Sequence, residues 1–268
     1  MFRSIFRASW AQHFKLWLGL VFGLFLFELL MAGIYESTTG YLSGSVFGPQ
    51  ELPDLFKAFT GGGSNMFEPL GWLGLGYTHP VPIILFISWT IVLSSAAIAK
   101  EVETGTGEML FSRPVDRRLL LLARMMVWFT GLLLIIVAGI LGTLAGKNLG
   151  GGLESISIGD TIELGAAILP LLFVVAGLGY FATALFSQRA KASAIATWFA
   201  VASYFLNFAS YLWEPLKEWG QLSVFNHAVP AEWADNGVNW GPTGIMLVIG
   251  MALMAIGIII VNSRDIAD

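Results

Sequence analysis

Residues 81–118 read "VPIILFISWTIVLSSAAIAKEVETGTGEMLFSRPVDRR", an uncharged apolar run that stops in eight charges and a Gly-Thr-Gly turn. About 20 mostly apolar helical residues cross a bilayer core. The first half is therefore read as a membrane span over 81–99, and the second as a polar loop, 100–118, leading to the next span. Five further stretches have the same character: 16–34, 125–146, 164–186, 192–213 and 241–261. Only the first of the six carries a charge, Glu28. Alternating β-barrel patterning is absent. The expected fold is thus an all-α integral membrane protein with six transmembrane helices, forming one domain over 1–268 with no internal repeat.

Composition agrees. The 268 residues are 56% apolar and 12% charged, with mean hydropathy +0.74. Soluble chains carry roughly a quarter charged residues. The 10 Trp and 20 Phe suit helices with interfacial aromatic belts. With no cysteine, disulfides, thiolate metal sites and cysteine nucleophiles are excluded. Residues 1–15 place Phe2, Ile5, Phe6, Trp10 and Phe14 at helical spacing, with Arg3, Arg7 and Lys15 between them. This pattern predicts an amphipathic helix lying in the interface and retained in the protein, with His13 at headgroup level.

Basic residues orient the chain. If the N-terminus is cytoplasmic, 11 of the 14 Lys and Arg lie inside, leaving Lys57, Lys147 and Lys217 outside. Both termini are accordingly expected in the cytoplasm. The first outer loop, 35–80, is expected to hold a short helix after Pro49. Another short helix is expected in "EPLKEWGQL" of the outer region 214–240. The tight "SQRA" turn, 187–190, predicts antiparallel packing of spans four and five.

Within the polar loop, Thr104 or Thr106 can cap a short helix whose first turn holds Glu108. Gly105 and Gly107 allow a sharp exit from span two, and Pro114 discourages helix at Arg113. A loop that only held topology would need no capped helix bearing Met109, Leu110 and Phe111. Such an amphipathic piece suits docking into a partner's groove, and both readings stay open on the residues alone.

The run "ELPDLFKAF" (51–59) followed by "IAKEVETGTGEMLFSRPVDRRLLLLAR" (98–124) resembles the permease subunits of ABC-2 type transporters. The resemblance is closest over 49–124, and the six spans and closing "NSRDIAD" extend it along the chain. It implies that the loop is a coupling helix docking on a separate ATPase, with Glu101, Glu103, Gly105, Thr106, Glu108, Arg113, Pro114 and Arg117 forming the coupling segment. It implies two ATPase subunits, a second permease copy (the same chain or a paralogue), surrounding lipid, the cell membrane of a prokaryote and, more often than not, export. The chain has no GxxxxGK[ST] phosphate loop, so ATP and Mg are expected on the partner and no cofactor on this chain. No nucleic-acid partner is expected.

Other residues leave alternatives open. Glu28 reads as a pathway or proton-linked acid, as a protonated, hydrogen-bonded packing residue, or as one near enough to the outer interface to reach water, because a carboxylate at membrane depth rarely faces lipid. Gly19 and Gly23 form a GxxxG for a permease–permease contact or for tight packing within one subunit. Asn207 suits an interhelical hydrogen bond or a substrate contact, and Pro170 a kink in span four. His79 and His227 lie in outer regions with no second histidine nearby, so no metal site is expected. Trp213, Trp219, Trp233 and Trp240 read as an outer aromatic belt or as the lining of a lateral gate. Among other functions, an ion-coupled secondary transporter lacks the expected repeat, and an intramembrane enzyme lacks a catalytic constellation. An assembly or resistance complex that uses the same ATPase for mechanical work stays in view.

Overall fold

The computed structural model describes residues 2–43, 67–103 and 117–263. The helix expected after Pro49 and the coupling helix with Gly105, Thr106, Glu108, Arg113 and Pro114 lie outside those residues. The described chain is helical, without strands. Among these residues five helices are long and apolar enough to cross a membrane, or six if a bent pair of helices counts as one span.

The chain opens with α1, Phe2–Gly33. This corrects the expected division into an interfacial helix 1–15 and a span 16–34: the two form one helix of 32 residues. No proline or glycine near Lys15 interrupts the backbone ladder. Aromatic contacts run across the supposed boundary, with Trp10 to Trp17 at 5.3 Å and Phe14 to Trp17 at 5.7 Å between ring centroids. At about 1.5 Å per residue such a helix is about 48 Å long, well beyond a hydrocarbon core.

After α2 (Tyr35–Ser43), the chain is described again from α3, Pro69–Thr78, and α4, Pro80–Ser95. These two meet at 43° and together are long and apolar enough for one span. Here the loop expected over 35–80 is corrected, because α3 buries Trp72, Leu73 and Tyr77 in the bundle. Three glycines in ten residues read as loop in the sequence, yet two of them, Gly74 and Gly76, serve close packing. A Cβ on Gly74 would lie 2.8 Å from that of Ala231, and one on Gly76 2.5 Å from Glu28 Oε2. The bend falls at His79, whose Nδ1 accepts from the Val81 N–H, and Pro80 has no N–H to continue the ladder of α3. His79 therefore sits at the bend between α3 and α4, packed against Phe27, rather than in an open loop.

The remaining elements are α5 (Ala99–Glu103), α6 (Arg117–Leu149), α7 (Ile158–Ala166), α8 (Leu169–Leu185), α9 (Arg189–Leu212), α10 (Pro230–Asn236) and α11 (Trp240–Ser263). Three 3-10 turns between Glu214 and His227 replace the short helix expected there. A Ser157–Asp160 capping box starts α7, and the expected kink at Pro170 appears as the helix break at 167–168. The short link 186–188 makes α8 and α9 packed neighbours.

The most extensive contacts pair α1 with α6 and α8 with α11. Both use backbone-to-backbone approach at glycine. A Cβ on Gly142 would overlap Phe25 O, and one on Gly146 would overlap Leu29 O. A Cβ on Gly177 would lie 2.6 Å from Gly250 O. By contrast Gly19 meets nothing within 4 Å, and Gly23 only the Leu85 side chain. The helix-packing glycines of the first span's interface thus lie on its partner helix. Gly146→Val should lower stability by about 1–3 kcal/mol through overpacking, read as earlier thermal unfolding in detergent, while Gly19→Val leaves the unfolding temperature unchanged.

Candidate functional site

Lys100 of α5, Arg124 of α6 and Arg189 of α9 gather around His13 at one end of the bundle, where α4 ends and the polar loop begins. Helix α4 stops at Ser95 and helix resumes at Ala99, so backbone groups at 96–99 lose their ladder partners. One hydroxyl restores several of them. Thr183 Oγ1, from α8, accepts from Ile98 N–H at 3.1 Å and Ala99 N–H at 2.9 Å, and donates to Ser95 O at 3.0 Å.

Arg124 of α6 satisfies the facing carbonyls. Its guanidinium donates to Ala96 O at 3.2 Å and to Ala97 O. It also pairs with Glu101 Oε1 at 2.5 Å. The two side chains are only 14% and 15% exposed, so this pair is better shielded than a surface ion pair. Tyr180 of α8 donates its hydroxyl to Arg124 O at 3.2 Å, which fixes the helix that carries the arginine. Farther along, Glu103 Oε2 accepts from the Arg189 N–H at 3.1 Å. Gln188 gives α9 no side-chain cap, so Glu103 caps that helix from outside, where its positive end favours a carboxylate.

Of the expected coupling residues, the structure brings Glu101 and Glu103 into this junction and sets Arg117 at the start of α6, where the chain returns. The next residue, Arg118, donates to Asn262 Oδ1 at 2.9 Å and so ties that return to α11. Three contributors were not singled out from sequence. Arg124 and Arg189 counted there only as orienting charges, and Thr183 is one hydroxyl in an uncharged span.

Glu28 is fully buried where α1, α3 and α6 meet. Thr143 Oγ1 donates to its Oε2 at 3.3 Å, while Oε1 and the nearby Tyr77 hydroxyl have no partner. Its carboxyl group rests on the bare face of Gly76 and does not reach the surface. Asn207 is buried on the small-residue face of α9 with Oδ1 unpartnered. The polar link from that face is made instead by Ser203, whose Oγ lies 3.0 Å from Ser223 Oγ. Trp213, Trp219 and Trp240 are exposed, and Trp233 is half-buried.

Between α4 and α9 runs an apolar groove of about 450 Å³, walled by Ile84, Ile87, Ile91, Val201, Tyr204 and Phe205. The class defined so far is a multi-pass helical membrane protein whose polar loop is anchored to three helices at their basic end. A family model described as "ABC-2 family transporter protein" matches residues 3–261. The chain belongs to that family and is the permease, or membrane subunit, of an ABC transporter. Neither a curated protein nor a solved structure matches it.

Thr183→Val should strand two amide donors and cost about 1–3 kcal/mol, measurable as a lower unfolding temperature. Thr183→Ser, which keeps the hydroxyl, should recover most of the loss.

Proposed function

We propose that this permease is driven by a separate ATPase through the loop that leaves at Glu103 and returns at Arg117, and that it exports its substrate. The observation that carries the reading is the anchoring of 96–103. A displacement of that segment acts on α6 through Arg124, on α8 through Thr183 and on α9 through the Arg189 amide. A loop that merely joined two spans would have no need of bonds to three others. With both termini cytoplasmic, the basic end faces the ATPase, in keeping with the bias of Lys and Arg. ATP and Mg belong to the partner. Two permeases and two ATPases form the working unit.

The groove between α4 and α9 is the proposed meeting place of the two permeases and the border of the substrate path. It is apolar, open to the side, and lies on the two helices that flank the anchored junction. The absence of native cysteine makes this contact testable without background. Single variants Ile84→Cys and Val201→Cys should give disulfide-linked dimers under oxidation in membranes. Monomers alone from both variants would remove the groove from the interface.

For the coupling itself, deletion of 104–112 should abolish co-purification of a nucleotide-binding subunit while membrane insertion persists. Arg124→Ala should retain the ATPase but uncouple it, so that substrate no longer stimulates hydrolysis. Full association after the deletion would overturn the assignment of the loop.

A further inference from the structure

At the end of the bundle opposite Arg124, a second cavity of about 240 Å³ lies between the last 3-10 turn, α10 and the start of α11. It differs in chemistry from the groove. Asn226, Asn236 and Asn239 contribute three carboxamides, beside His227, Glu232 and the ring of Trp233. Among the described residues lining it, Glu232 alone is charged. The histidine is fixed: its Nε2 lies 2.9 Å from Gln221 O. A carbonyl can only accept, so Nε2 carries a proton in this bond. The Asn236 amide gives one N–H to Asp235 Oδ2 at 3.3 Å. That bond fixes which end of the carboxamide is nitrogen and leaves its Oδ1 as an acceptor.

Size and polarity select the ligand. Liquid water takes about 30 Å³ per molecule, so the cavity accommodates one six-membered ring with its substituents. An anion is disfavoured, because Glu232 is negative and the described wall offers no Lys or Arg. An ammonium group only donates, and it would leave the carboxamide N–H groups unmatched. Hydroxyl groups both donate and accept, as carboxamides do, and Trp233 offers a flat apolar face for the C–H side of a ring.

We propose that this cavity binds a hexose-sized polyol, either a free glycoside or the glycosyl headgroup of a lipid. The site stands apart from the ATPase junction, and its test does not depend on that reading. Trp213, Trp219 and Trp240, in the segments that join α9 to α11 or open α11, are exposed, as suits residues at headgroup level, so both sources can reach this end of the bundle.

The experiment titrates the purified full-length protein in nanodiscs by calorimetry. The probes are the methyl glycosides of glucose, galactose and mannose, N-acetylglucosamine, and discs made with or without monoglucosyl diacylglycerol. The expected result is saturable binding of at least one probe. That binding should weaken about tenfold or more in Asn236→Leu and in Trp233→Leu, as loss of a well-made contact implies, and stay unchanged in Trp219→Leu. Elution and unfolding profiles check that the variants remain folded. Binding of the lipid-borne sugar alone assigns the site to a headgroup, and binding of a soluble glycoside assigns it to a free sugar. No saturable binding of any probe, or binding that both cavity variants retain, would overturn the proposal.

Discussion

Inside a bilayer an unpaired backbone amide or carbonyl costs several kcal/mol, and this constraint organises the structure wherever a helix stops early. The break after α4 is the clearest case. Thr183 and Arg124 between them satisfy two amides and three carbonyls over 95–99. The bond network that satisfies the backbone is the same network that binds the polar loop to α6 and α8. Structural necessity and the proposed coupling route therefore coincide, because a break in a span can be tolerated only where other helices reach into it.

The helices themselves are held differently. Lipid tails are as apolar as leucine, so burial of apolar side chains drives helix pairing weakly in a membrane. Close approach does more, and here α1 meets α6 and α8 meets α11 with glycine Cα atoms against the facing backbone. Such contacts tolerate little sliding, since an added methyl group at Gly142 or Gly146 would overlap a carbonyl oxygen. This gives the bundle two stiff pairs. Helix α4 packs against α1, α6, α8 and α9, touching members of both pairs. In the proposed coupling route, a push delivered at its end would be received by both.

The spans were legible in the sequence because an uncharged apolar run of about 20 residues matches the thickness of a bilayer core and is rare in soluble chains. Their ends were less so. Lys15 and its basic neighbours suggested a boundary within α1, yet charge does not break a helix when backbone geometry continues. Helix α3 escaped notice because ten residues with three glycines resemble a loop, and only the neighbours Ala231 and Glu28 reveal why glycine is needed there. In the candidate site, Glu101 and Glu103 were found through a local motif, as short-range patterns allow. Their partners were not, because Arg124, Thr183 and Arg189 approach from elements 23, 84 and 86 residues away in sequence. A lone hydroxyl in an apolar span has no periodicity to betray its role.

Helix α3 also bears on the far end of the molecule. Its Gly76 face carries the Glu28 carboxyl group, and Gly74, on a neighbouring face of the same short helix, abuts Ala231 of α10. The next two residues, Glu232 and Trp233, line the polar cavity. A buried carboxyl group with an unpartnered oxygen is costly wherever it sits, so the position of α3 is sensitive to how Glu28, Thr143 and Tyr77 share their hydrogen bonds. Any shift of α3 along α1 carries Gly74, and with it the wall of the cavity. Through α1 the same helix reaches α6, which bears Arg124. The two ends of the bundle are thus joined by packed helices with bare glycine faces, a contact that transmits displacement better than one cushioned by flexible side chains.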